Sequence, residues 1–215
     1  MSVELVKLAM QQFLADDTPE VLCIKGKWGT GKTHAWDDAV KEAKSKSKMA
    51  IKRYSYVSLF GMNDPSDIMQ SIYVNTDHIG LPNNEYISNE KANKISNLIK
   101  RVASFASNHA KTPNVSGLGG IVRAVIATSI NNTVVCIDDF ERKSKNISVN
   151  DIMGTISQLR DSRKCKVVLI LNDDTLSEPD LEEFAKYSEK VINSSFRFDP
   201  TTGESTQIAF SESPF

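Results

Sequence analysis

Glu20-Val21-Leu22-Cys23-Ile24-Lys25-Gly26-Lys27-Trp28-Gly29-Thr30-Gly31-Lys32-Thr33 is the stretch that decides the fold. An apolar run of strand-forming residues passes directly into a loop with glycine at 26, 29 and 31, and then into a helix-favouring segment, 32 to about 46. Glycines let such a loop turn its backbone N–H groups toward an anion, and the helix that follows adds the positive end of its dipole. The pattern GxxxxGK[ST] places Lys32 within reach of the β- and γ-phosphates of a nucleotide and Thr33 where its hydroxyl can ligate magnesium. Gly26, Trp28, Gly29, Thr30, Gly31, Lys32, Thr33 and His34 are therefore the expected nucleotide-binding residues, with ATP and Mg2+ as the ligands.

Outward from this loop, helices alternate with short apolar strands. Val3, Val6, Met10 and Phe13 mark one face of an amphipathic helix within residues 1–18. Residues 49–60 are rich in β-formers and read as a second strand, closed by Gly61. Asp64-Pro65 offers an N-cap and a first-turn proline for a helix to about Val74. Residues 75–90 read as a loop, 90–109 as a long helix carrying Ile95, Leu98, Val102 and Phe105, and 112–120 as the most flexible stretch. The apolar segment 121–130 fits helix and strand equally well, so 62–130 is expected to hold a soluble insertion.

Thr133–Ile137 reads as a third strand and Lys166–Leu171 as a fourth, with a helix opened by Ser148 and Asp151 between them. A last helix, opened by Ser177-Glu178-Pro179-Asp180, leads to a fifth strand at Phe196-Arg197-Phe198. The alternation predicts an α/β three-layer sandwich: a five-stranded, mostly parallel sheet covered by helices on both faces, over residues 19–200. Residues 201–215 read as a tail leading toward a lid outside this sequence.

The polar clusters follow the carboxyl ends of the strands, where open α/β sheets bind ligands. Asp138 and Asp139 end the third strand; Asp138 is expected to hold magnesium and Asp139 to orient or deprotonate the attacking water, with Glu141 as the alternative base. Asn172, at the end of the fourth strand, suits a water or the γ-phosphate. Arg142 is a candidate finger contacting phosphate, and Arg160 and Arg163 are weaker ones.

Composition removes other classes. With 26 Lys and Arg against 27 Asp and Glu, the formal net charge of −1 offers no global field toward nucleic acid or an anionic membrane. No run approaches the roughly 20 apolar residues that span a bilayer; 121–130 is too short and carries Arg123. Cys23, Cys136 and Cys165 have no metal-ligand spacing and sit in or beside apolar strands, which fits reduced, buried thiols and a cytoplasmic setting. His34, His78 and His109 are too scattered for a metal site or triad, and the lysine-rich stretch from Lys41 to Arg53 reads as a solvated helix end, with contact to nucleic acid the open alternative.

Four segments together carry a family resemblance: Lys25 to Thr33, Tyr56-Val57-Ser58-Leu59-Phe60-Gly61, Val134 to Arg142, and Val167 to Asp174. With Phe196-Arg197-Phe198-Asp199-Pro200 near the end, the chain resembles the KAP-type P-loop NTPases over about residues 20–200. These are STAND and AAA-like ATPases with an additional central strand, many of them in bacterial anti-phage systems. The resemblance implies ATP hydrolysis coupled to a conformational switch or ring assembly, with homo-oligomeric and effector partners. Many members carry membrane helices between the two nucleotide motifs, whereas here only a soluble insertion is expected. Members also continue into a helical lid and effector region, so a longer parent protein is expected. A nucleotide-holding scaffold without turnover and a small-molecule P-loop kinase are the alternatives.

Overall fold

The computed structural model describes residues 3–78, Ile126 and 129–201. Helix α1 (Val3–Ala15) leads to strand β1 (Val21–Lys25), helix α2 (Lys32–Ser45), strand β2 (Arg53–Ser58), helix α3 (Pro65–Asn75) and a two-residue strand β3 (Asp77–His78). After the residues outside the description come β4 (Val134–Asp138), a 3-10 turn (Phe140–Arg142), helix α4 (Val149–Asp161), β5 (Lys166–Leu171), a second 3-10 turn (Asp173–Thr175), helix α5 (Glu178–Val191) and β6 (Ser194–Arg197). The expected helix 90–109, most of the insertion and the tail beyond 201 lie outside the described residues.

The sheet order is β3-β2-β4-β5-β1-β6. All neighbouring strands run parallel except β3, which pairs antiparallel to β2 at the edge. Strand β5 lies between the glycine-loop strand β1 and the acid-pair strand β4, the additional-strand arrangement expected from the sequence. Among the described residues the sheet has six strands rather than five, because residues 75–90, read as loop, contain β3. Strand β2 is also shorter than the expected 49–60: Met49 and Ile51 are buried against the helical layer instead of pairing.

The continuous apolar runs are explained by burial on both faces. In β1, Val21 and Cys23 face one core while Leu22 and Ile24 face the other; β4 and β5 alternate the same way. Helices α1 and α2 close one face through Val6, Met10, Phe13, Trp36, Ala39 and Val40. Helices α3, α4 and α5 close the other, so residues 62–78 at the start of the expected insertion pack into the core through Ile68 and Ile72. The capping signals act as read: Ser148 and Asp151 form a capping box on α4, and Asp64 with Asp67 another on α3. Lys166, fully buried at the start of β5, is neutralised by Glu20 at 2.8 Å and Asp16 at 3.7 Å, which ties the α1–β1 connection to the sheet.

Candidate functional site

The carboxyl ends of β1, β4 and β5 bring the glycine loop, the acid pair and Asn172 together. Gly26 leaves β1 with its N–H donating to the Leu171 carbonyl at 3.2 Å, while the Phe198 N–H donates to the Lys25 carbonyl at 2.7 Å. A Cβ on Gly26 would lie 2.4 Å from the Phe198 carbonyl oxygen, so only glycine fits between β5 and the chain leaving β6. At the far end of the loop, Gly31 caps α2 in the left-handed conformation (φ 86°) and offers no side chain to the first turn. That turn carries no acidic residue, so its N–H groups and dipole remain available to an anion.

Lys32 is buried (8% exposed), and its Nζ donates to the carbonyls of Gly26 at 2.7 Å and Lys27 at 2.8 Å. Burial pulls its pKa down, opposed by the carboxylates of Glu141, Asp138, Asp173 and Asp139. The next residue joins the two motifs: Thr33 Oγ1 donates to Asp138 Oδ2 at 2.7 Å. The same oxygen accepts from the Tyr56 hydroxyl at 3.0 Å, and Oδ1 accepts from the Asp139 N–H at 2.7 Å. Burial nonetheless raises the Asp138 pKa. A desolvated carboxylate of this kind gains from a cation beside it.

Asp139 turns the chain with φ 58°. Its Oδ2 accepts from Ser58 Oγ at 2.6 Å, and Oδ1 lies 3.4 Å from Arg142 Nη1. Arg142, the candidate finger, stacks 3.9 Å over the Phe60 ring within its own chain. Arg160 and Arg163 lie at the opposite, amino-terminal edge of β5; Arg160 fastens α4 to the Val191 carbonyl. Glu141 reaches the glycine loop, accepting from Trp28 Nε1 at 2.6 Å through Oε1 and from the Asn172 N–H at 3.0 Å through Oε2. Asn172 is buried (3% exposed), and its Oδ1 has no hydrogen-bond partner among the described residues. His34 sits 3.3 Å from Asp38 and borders a small apolar cleft with Val3, Met10 and Phe198.

Sequence reasoning missed Tyr56 and Ser58. Their signal is period-2 spacing at the end of a strand. The β2–β4 register sets Ser58 beside Asp138, so alternate residues of β2 each hold one acid of the pair.

Glycine loop, paired acids and an inserted central strand define the class, a P-loop NTPase domain. The model of the KAP family P-loop domain matches residues 4–213, and the chain belongs to that family. A comparison with curated protein sequences finds no significant match. Among solved structures it is similar to Cdc6p from Pyrobaculum aerophilum (16% identity, TM-score 0.47, covering 97% of this chain and 47% of that one). It is also similar to Drosophila ORC bound to DNA (13%, 0.47, 98% and 45%) and to the DnaC helicase loader (15%, 0.37, 86% and 77%). The chain spans less than half the length of the first two. Strand order and the family match, rather than these overlaps, define the class.

Proposed function

We propose that this domain binds ATP with magnesium and hydrolyses it. The observation that carries the reading is the 2.7 Å Thr33–Asp138 hydrogen bond, which brings a hydroxyl from the glycine loop and a carboxylate from β4 to one point. These oxygen donors fit magnesium, which is usually held by one or two carboxylates together with substrate phosphates rather than by a full protein cage. Among the described residues no cluster of three or more His, Cys, Asp or Glu forms such a cage. When bound there, the ion would neutralise charge on the β- and γ-phosphate oxygens.

Lys32 and the first turn of α2 supply the remaining positive field, and Asn172 supplies a buried polar group at the γ-phosphate end. Magnesium-dependent phosphate release from ATP, with no acceptor added, tests the reading. Wild type should turn over and Asp138→Ala should fall to background; equal background rates would leave a scaffold without turnover. Nucleotide consumption that needs an added acceptor would mean a kinase.

Tyr56 is a positioning residue for the metal ligand. Tyr56→Phe is expected to raise the magnesium concentration for half-maximal nucleotide stabilisation about 10-fold. Nucleotide binding in EDTA should not change, and titration of melting temperature against magnesium reads both.

We further infer that the domain is the nucleotide-driven switch or ring subunit of a larger assembly, in bacterial anti-phage defence and in the cytoplasm. The KAP family membership supports this. Among the described residues no helix is long and apolar enough to cross a membrane. Plating efficiency of phage on cells carrying the gene with Lys32→Ala, against cells carrying the wild-type gene, tests it; undiminished protection would count against a nucleotide-driven role.

A further inference from the structure

Three carboxylates, Asp138, Asp139 and Glu141, cluster at the end of β4, and their partners separate them. Asp138 takes the Thr33 and Tyr56 hydroxyls on one oxygen and a backbone N–H on the other, which commits it to the metal side. Asp139 faces β2: Ser58 takes one of its oxygens and Arg142 approaches the other, and Arg142 is itself held by Phe60. Glu141 reaches across to Trp28 of the glycine loop and also to the Asn172 N–H at the end of β5. Its orientation is set by Phe140, fully buried and packed edge-on against Phe184 at 5.3 Å, which pins the 3-10 turn to the core.

We propose that Glu141, rather than Asp139, is the carboxylate that holds and deprotonates the water in hydrolysis, a step that rests on the ATPase reading above. Glu141 lies between Trp28 of the glycine loop and the N–H of Asn172, the residue whose buried Oδ1 has no hydrogen-bond partner among the described residues. In the proposed complex that oxygen accepts one O–H of the attacking water, and the other O–H is directed to Glu141. Of the carboxylates acting on Lys32, Glu141 acts most strongly, which agrees with its place near the phosphate-binding lysine.

The step balances with these groups. The water oxygen forms a bond to the γ-phosphorus as one of its protons passes to the Glu141 carboxylate. The bond from the γ-phosphorus to the bridging oxygen breaks, and ADP leaves with the electron pair. The proton on Glu141 then passes to the released phosphate or to solvent.

Glu141→Gln and Asp139→Asn, compared in parallel, test the assignment. Glu141→Gln should slow phosphate release at least about 100-fold, as loss of a general base does, while calorimetry shows ATP–magnesium affinity within about threefold. Asp139→Asn should retain a tenth or more of the wild-type rate. A readout free of turnover is Trp28 emission without nucleotide, which Glu141→Ala should shift by removing the indole's acceptor. Unchanged emission would overturn the contact on which the assignment stands. If wild type turns over, Glu141→Gln keeps its rate and Asp139→Asn loses it, the assignment alone fails. A wild type that binds ATP and releases no phosphate overturns the ATPase reading and the assignment with it.

Discussion

Lys32→Ala is expected to abolish the rise in melting temperature that ATP and magnesium produce in the wild-type protein. A ligand at 100 times its dissociation constant stabilises a fold by about 2.7 kcal/mol. For a domain of this size that corresponds to roughly 5–10 °C. The Lys32 ammonium is bound to the Gly26 and Lys27 carbonyls inside the glycine loop, and the residue is 8% exposed. Burial lowers its pKa, and the carboxylates of Glu141, Asp138, Asp173 and Asp139 oppose the shift. Without the ammonium, a magnesium-bound triphosphate would meet those carboxylates with only the ion and the backbone dipoles of the loop and α2 in its favour. Removing the ammonium also leaves two carbonyls without their donor, at a cost of about 1–3 kcal/mol in the nucleotide-free protein. Lys32→Met keeps most of the buried stem and separates the two effects: its nucleotide-free melting should lie between alanine and wild type, with no nucleotide shift. Differential scanning fluorimetry with and without ATP and magnesium reads all three proteins. An undiminished shift in Lys32→Ala would place the nucleotide elsewhere.

The parts of this site that were legible in the sequence are those whose geometry is local. Strand, glycine loop and helix follow one another without a break, so Gly26 to Thr33 could be assigned from the order of elements alone. Asp138 was legible because β4 is an uninterrupted apolar run that ends on it. The helix starts at Ser148 and Ser177 were legible because the cap and its partner lie three residues apart.

What was not legible depends on which strands become neighbours. Tyr56 and Ser58 gain their roles only because β2 lies beside β4 with Ser58 opposite Asp138. Two-residue β3 has too little sequence to show a period, and it exists because the edge of β2 offers it a partner. The different surroundings of Asp139 and Glu141 follow from a left-handed residue at 139 and a 3-10 turn after it, a backbone choice that residue types do not announce. Lys166 reads as an ordinary charged residue at a strand edge until α1 brings Phe13 within 4.4 Å and Asp16 and Glu20 beside it.

Gly26→Ala is expected to destabilise the fold and disable the site together. The added Cβ would sit 2.4 Å from the Phe198 carbonyl oxygen and 3.3 Å from Lys32 Cδ. The lysine stem can swing aside, but the carbonyl is backbone. The two segments cannot separate freely, because Gly26 N–H is bound to Leu171 and Phe198 N–H to Lys25. Relief therefore means breaking the ladder between β1 and β6 or pulling the loop off β5. Overpacking at a site that cannot relax costs about 3 kcal/mol, or roughly 6–12 °C of melting temperature. Gly29→Ala is the control. Its Cβ meets nothing within 4 Å, so only the left-handed backbone (φ 75°) resists it, at about 1–2 kcal/mol. Thermal melts of the two variants should therefore rank Gly26→Ala well below Gly29→Ala, with both below wild type. Equal melting temperatures would show that the chain leaving β6 does not press on the loop. In that case β6 would not be the wall that sets the shape of the phosphate cradle.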